Sequence, residues 1–390
     1  MTNNRRCLRE DIEQFENDYL SEQATQSSND RYAHRVHPLE KCEFRTEFQR
    51  DYTRIIHCRA FRRMRHKTQV FVSPENDHLC TRLEHELHVA SVASTIAQAF
   101  RLNVDLVRAM AVGHDLGHAP FGHMGERTLH KIAQEHGLFF RHELHSLRVV
   151  DYLESPYEEH HGLNLTFAVR DGIACHHGER FEPALKPERD KPVDALQTMD
   201  RGALPATLEG CVVRWADKIA YLGRDLEDAQ ALGMIETKDI PESVRETLGV
   251  SNREIIGSLV RELVHNGVAD DSLRVSEDIH SALNELFGFN LDRIYNAIEA
   301  RSPFTQVDRA MRVLFELLLD RLGGAKGDLD AIRQPEDGPC MGVLRDFLNE
   351  DVRDWQRENG ARLVIDFVAG MTDPFFCRAL TEMLLPRSMV

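Results

Sequence analysis

The chain has 390 residues, 42% hydrophobic and 29% charged, which excludes a disordered or fibrous protein and leaves room for a sizeable core. Forty-eight Lys and Arg against 64 Asp and Glu give a net charge of -16, so the overall field disfavours general sequestration by nucleic acid or anionic lipid. No run approaches the roughly 18 apolar residues of a membrane span, and Arg5, Arg6, Arg9, Glu10 and Asp11 leave no apolar signal-peptide core, so a cytoplasmic protein without membrane association is expected.

Helical periodicity dominates and predicts an all-α fold without a sheet-based core. Leu79, Leu83, Leu87, Ala90, Ile96, Ala97 and Phe100 recur at three- and four-residue spacing. Asn103 and Asp105 break the pattern, and Asp105 is expected to cap a helix carrying Leu106, Val107, Met110 and Ala111 up to His114. Gly117 to Gly125 reads as a loop. Further helices are predicted over 146–153, 208–232, 276–286, 304–322, 343–359 and 374–384. Arg180 to Pro205, with four prolines, reads as a long loop. Gly323 to Gly338 reads as a mobile excursion before the C-terminal helices. The 8 Cys lie far apart with no CxxC pair, as reduced thiols used for packing would.

Many of the 20 His fall between His57 and His177, and this bias is the first functional clue. His114 and Asp115 project about 100° apart on a helix, yet at a helix end both can reach one ion. A surface His beside a capping Asp is the bland alternative. The flanks Ala111, Val112 and Leu116, followed by His118 and His123, instead suggest a buried polar pair, which needs a reason. A divalent metal supplies one, because imidazole and carboxylate together suit such an ion. His85, on the preceding helix, and Asp217, in the apolar run Val212 to Tyr221, are the candidates for two further ligands. Asp217, Tyr221 and Asp225 are spaced by four and share a helix face, with Lys218 about 100° away. Lys218 and Asp225 also read as solvated charges, and Tyr221 as core. The basic run Arg59, Arg62, Arg63, Arg65, His66 and Lys67 reads as a single-stranded nucleic-acid surface or as buried ion-pair and phosphate-site support.

The order His85, His114-Asp115, Asp217 and its surroundings resemble the HD-domain phosphohydrolases, and specifically the deoxyguanosine triphosphate triphosphohydrolase (dGTPase) and dGTPase-like family. Phe44 to Asp51, Arg54 to Arg63, Lys67-Thr68-Gln69-Val70-Phe71, Thr81 to His85, Gly113 to Glu126, Leu208 to Asp228 and Ile365 to Asp373 carry the resemblance. They are collinear with the family from about residue 44 to about residue 380. A generic HD phosphohydrolase would be expected to share the ligands but not the Lys67 to Phe71 or Ala369 to Asp373 blocks.

The resemblance implies an HD-domain helical core over 44–235, an N-terminal extension over 1–43, and a C-terminal helical region over 236–390 completing the fold. It implies metal ligation by His85, His114, Asp115 and Asp217, with Mn²⁺ or Mg²⁺ the family expectation; nitrogen ligands leave Fe, Co, Ni or Zn open. It further implies proton transfer by His123 and Glu126, and charge stabilisation by His118. Substrate contacts are implied for Gln69, Arg82, His142, Lys218, Tyr221 and Asp225. The reaction implied is hydrolysis of a dNTP to deoxynucleoside and inorganic tripolyphosphate, in a homo-oligomer such as a hexamer, with a dNTP activator as a candidate partner. The alternatives are another HD phosphohydrolase acting on a monophosphate, cyclic nucleotide or alarmone, and a nucleotide or nucleic-acid sensor retaining the site. Ala119 stands where the family usually has Pro, Glu143 and His145 stand where it has amide residues, and Pro374 replaces its Arg. The second of these changes bears on base preference.

Overall fold

Short polar residues set the helix starts. Thr81 and Glu84 form a reciprocal capping box for α4 (Arg82–Ala99), and Ser251 and Glu254 do the same for α11 (Asn252–Asn266). The computed structural model describes residues 7–71, 79–157, 159–177, 181–198, 202–297, 303–325, 332, 338–349 and 359–385. The chain runs through α1 (Arg9–Tyr19), α2 (Glu47–His57), α3 (Arg59–Arg63), α4, α5 (Val104–Ala111), α6 (Gly122–Glu135), α7 (His142–Arg148), α8 (Phe167–Cys175), α9 (Leu208–Ala231), α10 (Glu242–Thr247), α11, α12 (Glu277–Asn290), α13 (Pro303–Ala325), α14 (Pro339–Leu348), α15 (Gly360–Ala369) and α16 (Asp373–Leu384). The fold is all-α, as the periodicity predicts. Its small sheet joins β1 (Ala184–Leu185), β2 (Val268–Ala269) and β3 (Ser272–Arg274) in the order β1-β3-β2, both pairs antiparallel. Asp270 and Asp271, both with positive φ, make the two-residue turn of the β2-β3 hairpin.

Several sequence expectations shift. Asn103, not Asp105, caps α5, because its side chain accepts from Leu106 N at 3.1 Å; Asp105 lies in the first turn and accepts from Gln49 at 2.8 Å. The helix stops at Ala111, so His114 and Asp115 lie in the turn beyond it. The expected loop over 117–125 is shorter, since α6 begins at Gly122 after Phe121 and Gly122 adopt positive φ. Gly323 and Gly324 are the last turn of α13, and most of the expected mobile excursion lies outside the described residues, as do residues 350–358 of the expected 343–359 helix. None of the eight cysteines is in a disulfide; Cys58, Cys175, Cys211 and Cys340 are buried, whereas Cys7 and Cys377 are exposed and do not serve packing. Among the described residues no helix is long and apolar enough to cross a membrane.

Two apolar clusters form the interior. The larger includes Phe48, Ile96, Met110, Phe167, Trp215, Leu283 and Ile294 and crosses the expected boundary at 235; within it α4 packs on α5 and α9. The smaller joins Phe121, Leu129 and Phe140 to Met311, Phe315, Val364 and Phe376. Leu116 belongs to the first cluster and Ala119 to the second, so the segment 115–121 crosses the seam between them. The expected N-terminal extension is pinned by buried groups. Glu209 accepts from Thr25 N and Oγ1 at 2.8 Å, and Arg35 pairs with Asp51 and Glu47.

Candidate metal centre and its surroundings

Three elements bring the four expected ligands together. His85 lies early in α4, His114 and Asp115 occupy the turn after α5, and Asp217 lies on the mostly buried α9. His85 Nε2 is 2.9 Å from Asp217 Oδ1, and His114 Nε2 is 3.6 Å from that oxygen and 3.9 Å from Asp115 Oδ2. Ligand atoms of His85, His114 and Asp115 lie within 4.8 Å of one another. His114 Nδ1 donates to the Ala111 carbonyl at 2.7 Å, which fixes the Nδ1-H tautomer and leaves a lone pair on Nε2. That buried Nε2 has no hydrogen-bond partner among the described residues. An inward-facing imidazole with its outer nitrogen held by a carbonyl, beside two carboxylates, fits a divalent cation.

Charges here are tightly interdependent. Burial disfavours the Asp217 carboxylate, but the adjoining His114 and His85 imidazoles outweigh it and hold the group well below the usual range. Burial likewise opposes ionisation of Asp115, and the Arg82 guanidinium and His114 overcome it. Glu86, fully buried, accepts from Asp115 N at 3.2 Å and stands 3.0 Å from His114 Nδ1, so it supports the pair from behind.

The expected proton-transfer residues adjoin this cluster. Glu126 Oε1 accepts from His142 N at 2.9 Å and from His142 Nδ1 at 2.8 Å. Its Oε2 lies 3.7 Å from His118 Nε2 and 3.6 Å from His123 Nδ1. His118 is buried with neither ring nitrogen hydrogen-bonded among the described residues, and burial together with the Arg82 charge keeps it neutral. The His123 side chain is 60% exposed against 16% for Glu126, so His123 is the one most open to proton exchange with solvent. Burial lowers the affinity of His142 for a proton, but the Glu126 carboxylate reverses this and raises its pKa to about 9.

The segment carrying these groups is held from behind. Lys67, at the end of the basic run, is not a surface charge: it is buried, and Nζ donates to the carbonyls of His118 and Ala369. Asp373 accepts from Phe121 N at 3.0 Å and from Thr68 N at 3.1 Å. His145 Nδ1 donates to the Gly117 carbonyl at 2.8 Å, so the residue standing in place of a family amide supports the backbone. A Cβ on Gly117 would run into the backbone of His145 and Ser146, so this close approach requires glycine. Elsewhere in the run, Arg59 and Arg63 stand 3.9 and 3.6 Å from Glu154.

The expected substrate contacts divide. Gln69 is buried, and among the described residues its Oε1 has no partner. Arg82 is also buried, its Nη1 bound to Asp115 and its Nη2 3.3 Å from the Gln69 carbonyl. Lys218 is buried with Nζ 4.9 Å from the centre of the Phe181 ring, and burial lowers its pKa to about 8. Neither Lys218 nor Asp225 is the solvated charge of the bland alternative, while Tyr221 is half-buried. Burial raises the pKa of Asp225 to about 7 even though Tyr295 donates to it at 2.7 Å.

A group raised this way contributes stability that is fully present below its unfolded pKa and is lost as pH rises through the folded value. The displacement from 3.8 to about 7 corresponds to about 4 kcal/mol when complete. Asp225→Asn in the metal-free chain is therefore expected to gain stability relative to the parent as pH rises from about 4 to about 7, and no further above it. Parallel melting curves across that range would contradict it.

Sequence reasoning missed Glu86, Tyr295, His176 and His177. The adjacent pair His176-His177 was a readable signal, but no helix was predicted over 167–175 to aim it inward.

The HD-domain family model matches residues 82–222, a span that contains all four clustered ligand candidates. A deoxyguanosinetriphosphate triphosphohydrolase-like protein of Caldanaerobacter subterraneus subsp. tengcongensis is 37% identical, covering 97% of this chain and 96% of its own length. Similarly named proteins of Desulfatibacillum aliphaticivorans and Clostridium perfringens are 36% and 34% identical, over 98% and 97% of this chain and 99% and 98% of their own lengths. The chain belongs to the HD-domain deoxyguanosinetriphosphate triphosphohydrolase-like family. It is accordingly a metal-dependent HD-domain phosphohydrolase. The HD-domain match begins at Arg82 and ends at Leu222, leaving Lys67, Gln69 and Asp225 outside it.

Proposed function

We propose that the chain hydrolyses deoxynucleoside triphosphates, dGTP-like in the first instance, to deoxynucleoside and inorganic tripolyphosphate. The observation that carries this reading is the adjacency of two clusters, His85-His114-Asp115-Asp217 for a divalent ion and His118-His123-Glu126-His142 for protons. Lys218, Tyr221 and Asp225 extend along the same helix as Asp217. The names of the full-length relatives support the substrate class.

When bound, a divalent ion, Mn²⁺ or Mg²⁺ first, supplies Lewis-acid polarisation of a phosphoryl oxygen. Every other contribution comes from the chain. Glu126 holds the Nδ1 proton of His142 and presents its second oxygen toward His118 and His123. His123, open to solvent, carries protons between Glu126 and water. Neutral His118, whose ring nitrogens have no hydrogen-bond partner among the described residues, donates its one N–H to charge developing on the phosphate. Lys218 serves the phosphates, Tyr221 packs beside them, and Gln69 and Asp225 serve the sugar. Arg82 joins them as a phosphate contact when it releases Asp115.

The test is incubation of metal-stripped protein with each dNTP, alone and mixed, with Mn²⁺ or Mg²⁺ restored, following products by chromatography. Tripolyphosphate that forms only with metal and is absent in Asp217→Ala is the expected result. Turnover only in mixtures would identify a dNTP activator, and sedimentation of the same samples would show the homo-oligomer. Failure to consume any dNTP, singly or mixed, would remove the substrate assignment.

A further inference from the structure

Arg214 lies on α9 one turn before Lys218, is 1% exposed, and has no carboxylate partner among the described residues. Its Nη1 donates to the carbonyls of Ala203 at 2.9 Å and Cys175 at 3.3 Å, whereas the edge formed by Nε and Nη2 makes no hydrogen bond among the described residues. A full charge enclosed with two carbonyls and no counter-ion is costly. Its neighbours on the helix do not relieve it. Lys218, four residues on, is a second buried cation, and like charges at this spacing oppose a helix. Asp217, three residues on, is turned to His85 at 2.9 Å and to His114 at 3.6 Å.

Holding two carbonyls accounts for one nitrogen of this guanidinium and for none of its charge. Its position accounts for the rest. Cys175, which Arg214 touches, is followed by His176, whose Nε2 is 3.8 Å from Asp115 Oδ1, so this end of α8 reaches the candidate metal cluster. One helical turn is about 5 Å, and Arg214 stands about that far along α9 from Asp217 and Lys218. Cleavage at the phosphate nearest the sugar puts that phosphate at the ion and the outer phosphates beyond it, within reach of a long side chain one turn away. An unpaired guanidinium edge suits a phosphate, because its parallel N–H groups form a pair of charge-assisted bonds to one anion.

We propose that Arg214 binds the outermost phosphate of the substrate, and that with Lys218 it makes the chain select deoxynucleoside triphosphates over di- and monophosphates. The inference deepens the dNTP reading above and rests on it. The bonds to Ala203 and Cys175 come from Nη1, so binding through Nε and Nη2 leaves the end of α8 as it is. The bound anion supplies the counter-charge that the described residues do not give Arg214.

Comparing nucleotides that differ only in phosphate number isolates this contact. On the full chain loaded with Mn²⁺, dGTP turnover is followed by product chromatography, and the affinities of dGDP and dGMP are measured by calorimetry. Arg214→Met is expected to lower kcat/KM for dGTP by about 10- to 100-fold, the range for losing a hydrogen bond to a charged group, with the dGDP and dGMP affinities close to parental. Arg214→Lys keeps the charge but not the fork and should recover part of the loss. A residue that only staples the two carbonyls would, when replaced, weaken all three nucleotides alike. That result, or parental dGTP kinetics in a folded Arg214→Met, would overturn the assignment. Should Arg214→Met not fold, Arg214→Lys decides: a loss confined to dGTP supports the contact, and an equal loss or none overturns it. A parent chain that consumes no dNTP, singly or mixed, removes the substrate reading and this inference with it, and that failure shows in the parent rather than in the variants.

Discussion

Asp115→Asn is expected to lower turnover by more than about 100-fold and to remove most of the stabilisation that metal gives the chain. Loss of a partner that merely supports a metal ligand costs about 10- to 100-fold in affinity or activity, and Asp115 stands in the ligand cluster itself. The substitution keeps the shape, so an effect of this size would come from charge. Asn retains one oxygen for Arg82 but removes the negative charge that faces His114, His142 and His176. Thermal melting with and without Mn²⁺ reads the second half of the expectation. A ligand present at 100 times its Kd stabilises the folded chain by about 2.7 kcal/mol, and the parent should show such an increment. The variant should show little of it, and should melt lower than the parent without metal because buried Arg82 has lost its counter-charge. A folded Asp115→Asn with parental turnover and a parental metal-dependent rise in melting temperature would refute the assignment.

The four ligand candidates were legible because a buried His-Asp pair between apolar residues has few physical excuses, and because Asp217 interrupts an apolar helix. What supports them was far less legible. Glu86 adjoins His85 in sequence and reads as an ordinary helix charge; only the packing of α4 against α5 reveals it as fully enclosed beneath His114. His176 and His177 needed the direction of α8, and Tyr295 needed the fold of a segment far along the chain. Patterning does not specify such long-range pairings, whereas it does specify the face of one helix.

The fold shows the same division. Long periodic helices such as α9 and α13 were placed to within a few residues, but α2 and α8 were not identified, and the cap of α5 was assigned two residues late. Asn103 and Asp105 are both good capping residues, and the choice between them depends on Gln49 of α2, which takes the Asp105 side chain. The basic run Arg59 to Lys67 left a surface and a buried role open. The structure divides it, because Arg59 and Arg63 approach Glu154 while Lys67 turns inward to two carbonyls.

That inward turn sets up the second large effect. Lys67→Met should preserve much of the side chain's volume while leaving the His118 and Ala369 carbonyls without their buried donor. Each unsatisfied group costs about 1 to 3 kcal/mol, so a loss of about 2 to 6 kcal/mol is expected, less the cost of burying the ammonium group. The consequence for activity follows from position. The His118 carbonyl lies where the chain crosses between the two apolar clusters, and Ala369 ends the helix that carries much of the second. Without the clamp, the segment from Asp115 to Phe121 is held toward its ends, by Glu86 on Asp115, by Ser146 and His145 on Gly117, and by Asp373 on Phe121, but loses its hold on His118. A displacement of about 1 Å in a reacting group can cost about 100-fold, so kcat should fall by 10-fold or more while KM changes little. The metal ligands on α4 and α9 are untouched, and metal content at saturation should stay parental. A fall in kcat with retained metal and a lower melting temperature would establish Lys67 as a positioning residue. A variant equal to the parent in kcat and melting temperature would show that the two carbonyls do not need the clamp.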